Sequence, residues 1–115
     1  MKDVSGVITC KGKEYRLVFN LNVMEAIQDE YGTLEKWGEL TDGASGEPNA
    51  KAVKFGFFAM LNEGIEIENE NNGTDEPLLT LKQVGRLITE IGFESATAKL
   101  NETVIESTQS AEKNA

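Results

Sequence analysis

The chain has 115 residues, enough for one domain with a modest core, and 39% of them are hydrophobic against 27% charged. Its 20 Asp+Glu and 11 Lys+Arg leave a formal net charge of -9, an averaged field that repels nucleic acid and anionic membrane. With zero histidines and the single Cys10, neither an internal disulfide nor a zinc site of any usual ligand set can be assembled.

The opening stretch "MKDVSGVITCKGKEY" has no apolar run of signal-peptide length, and no window approaches the roughly 20 apolar residues of a spanning helix. A reducing cytoplasm is the expected compartment, and the sequons at Asn72 and Asn101 are read as chance matches. Two short alternating runs, Val7–Thr9 and Tyr15–Phe19, flank Lys11-Gly12-Lys13 and predict a β-hairpin. Alternation puts Tyr15, Leu17 and Phe19 on one face and Arg16 and Val18 on the other, so one apolar side needs cover.

That cover follows in "NLNVMEAIQDEYG". Asn22 is the expected cap, Glu25 stands at its capping-box position, and Gly32 is the stop. Val23, Met24, Ile27 and Tyr31 fall on one stripe at helical spacing. A second helix is predicted in "TLEKWGEL", capped by Thr33 and burying Leu34, Trp37 and Leu40. The composition of "TDGASGEPN" then breaks the chain between residues 41 and 49.

From Asn49, "AKAVKFGFFAMLNEG" is the most apolar helix, with Ala52, Val53, Phe57, Met60 and Leu61 inward and Gly64 as its end. Residues 65–77, "IEIENENNGTDEP", are acidic and turn-prone and are expected to be a mobile loop. "TLKQVGRLITEIG" opens with the capping-box pair Thr80 and Gln83, and its stripe is Leu81, Val84, Leu87, Ile88 and Ile91. "FESATAKLNETVIES" adds a last helix before a flexible tail over 105–115, so residues 1–104 make one globular domain. The fold class is α+β, mostly α: an N-terminal hairpin followed by four to five short helices.

Each constellation that resembles chemistry has a plainer reading. Glu66, Glu68, Glu70, Asn72 and Gly73 imitate the start of a calcium loop, but counting from Glu68 puts Leu79 where a bidentate glutamate is required, and Pro77 falls inside. Solvated acidic surface is the better description. Cys10 has Lys11 and Lys13 near but no histidine to serve as a base, and Gly12-Lys13 lacks the glycine spacing of a phosphate loop. Lys51, Lys54 and Lys82 look scattered along the chain rather than clustered. No catalytic, cofactor-binding or metal-binding residue is assigned, and no cofactor is expected.

Phe55, Phe57 and Phe58 span too wide an arc for one buried stripe, so this helix is the expected place for contact with a partner or a second copy. The competing reading buries the helix on two sides, under the hairpin and the Thr80 helix.

The order of segments, a hairpin leading into "YRLVFNLNVMEAIQDEYG", then "TLEKWGEL", "AVKFGFFAMLNEG", an acidic spacer and "PLLTLKQVGRLI", resembles the small tail assembly chaperones of long-tailed bacteriophages and gene transfer agents. The resemblance covers Tyr15 to Ile91 and carries no active site to transfer. It implies a non-enzymatic protein of the bacterial host cytoplasm that binds the tape measure protein and helps tail tube proteins polymerise around it. It also implies two forms, one extended by a ribosomal slip; Glu112-Lys113-Asn114 can be encoded GAA-AAA-AAC, which contains the slippery heptamer A-AAA-AAC. The alternative is a phage structural head-tail connector or tail terminator, which would form a ring. A nucleic-acid mimic would spread its carboxylates over a folded face, whereas many here sit in residues 65–77.

Overall fold

Lys11 and Gly12 both have positive φ, 52° and 78°, and close a two-residue hairpin turn of the kind that matches strand twist. The computed structural model describes residues 4–43 and 46–113. In it β1 (Val4–Cys10) pairs antiparallel with β2 (Lys13–Phe19), in a register running from Cys10↔Lys13 to Val4↔Phe19. Five helices follow: α1 (Leu21–Tyr31), α2 (Leu34–Thr41), α3 (Ala50–Asn72), α4 (Leu81–Ile91) and α5 (Phe93–Lys113). This is the mostly helical α+β domain that the residue pattern predicts.

Ile8, Leu17 and Phe19 share one hairpin face and enter the core. Val18, expected on an outer face, is fully buried too. The cause is α3, which crosses β2 so closely that a β-carbon on Gly64 would stand 2.9 Å from the Arg16 carbonyl oxygen and 3.6 Å from Val18 Cγ2. On β1, Gly6 plays a similar part: its β-carbon would meet Lys99 Cε and Thr103 Oγ1 of α5, each at 3.0 Å.

Gly64 is therefore a mid-helix crossing point, and the predicted helix end there is wrong. Residues 65–72, expected as part of a mobile loop, complete α3 with Ile65 and Ile67 half-buried. The helix stops at Gly73, whose left-handed φ of 65° lets its N–H bond the Asn69 carbonyl. Asn69 also straps the next residues, donating to the Glu76 carbonyl at 3.0 Å and accepting from Glu76 N–H at 3.0 Å. Asn62, buried inside α3, donates to the Leu79 carbonyl (3.0 Å) and accepts from its N–H (2.8 Å), giving that extended residue a strand-like partner.

The cap of α1 is Asn20 rather than Asn22: its side chain accepts from Val23 N–H at 3.2 Å. Thr33 caps α2 and the Thr80–Gln83 capping box opens α4, both as the sequence indicates. Leu81, assigned to the α4 stripe, is 44% exposed, while Val84, Leu87 and Ile88 are buried. α5 runs well past residue 105 with Ser107 buried, so the predicted tail is helical through Lys113. Ala44 and Ser45 of the 41–49 loop, and Asn114 and Ala115 of the tail, lie outside the described residues. The helices are not all short: α3 has 23 residues and α5 has 21.

Candidate partner-binding face

Phe55 and Phe58 stand three residues apart and share one side of α3, whereas Phe57 points the opposite way. Phe57 is fully buried in the core and offers nothing to a partner, which corrects its place among the three interface candidates. The other two are half-buried and form an aromatic row with α1: Tyr31 meets Phe55 edge-on with centroids 5.7 Å apart, and Phe55 lies 6.3 Å from Phe58. The helix is thus neither wholly buried nor wholly exposed along its aromatic arc. Its Phe57 side is covered by the core, and its Phe55–Phe58 side is open.

Beside the row runs a groove of about 180 Å³ between α1 and α3. Val23 and Ala26 wall it on one side and Phe55, Phe58 and Ala59 on the other, and Glu63 and Glu66 stand at its polar end. Glu63 is held in place there, because its Oε2 accepts from Asn20 Nδ2 at 2.7 Å and from Asn22 Nδ2 at 3.0 Å. Asn22 thus serves the groove instead of the helix cap. Leu21, at the first turn of α1, is 68% exposed. What this surface can do chemically is hold an apolar side chain against aromatic edges, with a carboxylate waiting for a cation at one end.

At the other end of the row, the Tyr31 hydroxyl is buried without a hydrogen-bond partner among the described residues. Burial pushes its phenol above the ordinary value, and the neighbouring Glu30 carboxylate pushes the same way.

The remaining candidates do not converge. Glu66, Glu68 and Glu70 lie on α3, where two-residue steps point side chains to opposing sides, and no metal-ligating group of three forms among the described residues. Cys10 is half-buried and unpaired by any disulfide. Lys51 stays apart, but Lys54 and Lys82 are not scattered: they line one hollow with Lys11 and Arg86. The missed signal was partly legible in the four-residue spacing of Lys82 and Arg86; the approach of the hairpin turn was not.

Fold and face together define a small α+β domain with an open aromatic groove between two helices. Comparison with known protein families, characterised proteins and solved structures finds no match to this chain.

Proposed function

We propose that this protein is a tail assembly chaperone of a long-tailed phage or prophage, a non-enzymatic binder that holds apolar helical segments of the tape measure protein while tail tube proteins assemble. The observation that carries the reading is the half-buried row Tyr31, Phe55, Phe58 beside an apolar groove with an acidic end. Such a groove suits an amphipathic helix that presents apolar side chains and one basic residue. The order of segments from Tyr15 to Ile91, which resembles that of the tail chaperones, supports the same reading.

The chain would act in the bacterial cytoplasm by shielding its client, with no covalent chemistry. Co-expression with the tape measure protein of the same tail tests this. The client stays soluble and copurifies with the chain if the reading is right; a client equally soluble without the chain, and not retained by it, contradicts it. Intact mass of every product of the native gene with its downstream DNA tests the two-form expectation separately, through a longer product in the shifted frame after Asn114.

A further inference from the structure

We infer that a second surface, the hollow between the hairpin turn, α3 and α4, docks an acidic amphipathic segment of a partner protein. It lies on different elements from the α1/α3 groove and stands or falls independently of the chaperone reading. Lys11 comes from the turn, Lys54 from α3, and Lys82 and Arg86 from α4, and together they line about 630 Å³ of open space. In a chain of net charge -9, this places four of the 11 basic residues around one point.

The cations are not spent on their own acidic neighbours. Lys11 reaches Glu90 at 3.7 Å, a long contact between side chains 75% and 54% exposed, which solvent screens. No ion pair joins Lys54, Lys82 or Arg86 to a carboxylate among the described residues. Lys82, Arg86 and Glu90 follow at four-residue steps on one helix face: the like pair Lys82 and Arg86 weakens the helix, Glu90 offsets this only beside Arg86, and it is a single carboxylate against four cations in the lining of this hollow. The floor between them is Gly85. A β-carbon there would make only an ordinary contact, 3.4 Å from Lys54 Cδ, so packing does not demand glycine, and its absence of side chain keeps the hollow deep.

An apolar annex decides the kind of ligand. A second hollow of about 270 Å³ shares Lys11, Arg86 and Glu90 with the first and adds Tyr15, Leu79 and Leu87. The pair of hollows therefore fits carboxylates on Lys54, Lys82 and Arg86 and one apolar side chain against Tyr15 and Leu87. Arg86 can take a carboxylate through two parallel N–H bonds. A nucleic acid is the poorer occupant, because a polyanion longer than the hollow must cross a surface of the same sign.

The test uses a short synthetic helical peptide with glutamates four residues apart around one leucine, titrated into the isotope-labelled full chain. Amide shifts are expected at Lys54, Gly85, Arg86 and Leu87, and the same peptide with glutamine for glutamate should lose them. The double variant Lys82→Glu/Arg86→Glu, at two exposed positions, should melt like the parent yet bind about tenfold more weakly or worse. A lysine version of the peptide should then bind the variant better than the parent. Equal binding of the glutamine peptide overturns the proposal. So does tighter binding of a single-stranded oligonucleotide at the same residues, or a salt-sensitive oligomer that the double variant dissolves, which would make a second copy of this chain the occupant.

Discussion

The indole of Trp37 lies directly on the backbone of Gly56: a β-carbon on that glycine would stand 2.5 Å from Trp37 Cζ2 and 3.2 Å from Leu100 Cδ1. Trp37 is held there by its own N–H, which donates to the Ala52 carbonyl one turn earlier at 2.9 Å. One bare helix turn thus locks α2, α3 and α5 together. Alanine normally gains about 1 kcal/mol over glycine inside a helix, but overpacking of a rigid ring against backbone costs about 1–3 kcal/mol. Gly56→Ala is expected to lower the urea midpoint at unchanged m-value. Gly85→Ala, where only the Lys54 stem is met, is expected to raise it by the propensity gain.

Asn62 ties the segment before α4 to the middle of α3. Both halves of its amide are used on Leu79, and the residue is only 9% exposed. Asn62→Ala should cost about 2–3 kcal/mol, since two bonds vanish and the Leu79 backbone is left without its side-chain partner. Asn62→Asp keeps the acceptor and loses the donor to the Leu79 carbonyl, so both the alanine and the aspartate variants should speed amide exchange over residues 74–80 ahead of global unfolding.

Tyr31 carries a buried hydroxyl with no partner among the described residues, so Tyr31→Phe removes a desolvated group and is expected to be neutral or stabilising by about 1 kcal/mol. The pH dependence has a definite sign. The folded-state pKa is raised above the ordinary phenol value of about 10, first by burial and then by Glu30, so above that pH the unfolded chain loses this proton before the folded one. Stability linked to this phenol is fully present below that pH and lost as pH rises through the folded value. The parent should lose more stability than Tyr31→Phe between neutral pH and the alkaline limit, measured by paired denaturation curves.

Ile27 is wholly buried at the centre of the α1 stripe, against the hairpin and α3. At about 25 cal/mol per Å² of apolar area, that side chain contributes several kcal/mol, and a carboxylate in its place would be desolvated without a partner. Ile27→Asp should abolish the cooperative melt. A variant that melts like the parent would refute the packing.

The residue pattern made most of the fold legible where two signals agreed. Alternation around Lys11-Gly12 located the hairpin, and a capping pair plus a stripe located α4. It misled where one residue type serves opposite purposes. Gly64 and Gly73 both offer a helix stop, and only the crossing of Arg16 over Gly64, a contact distant in sequence, tells that the first is a packing site. Asn22 is the cap expected from the sequence, but Asn20 Oδ1 takes the Val23 N–H while Asn22 Nδ2 turns to Glu63, a partner distant in sequence. For the face itself, the wide aromatic arc marked α3, but separating Phe57 from Phe55 and Phe58 required knowing which side the hairpin covers. The basic hollow was invisible as a unit because Lys11, Lys54 and Lys82 meet only through tertiary structure.

The proposal that the aromatic face binds a tape measure protein is tested most directly by the affinity of the parent and of Phe55→Ala/Phe58→Ala for the tape measure protein encoded with this chain, with Lys51→Ala as a folded surface control. Loss of binding in the aromatic variant, with its cooperative melt retained and the control unchanged, is the predicted result. Undiminished binding by a folded Phe55→Ala/Phe58→Ala variant, or no binding by the parent, would contradict it.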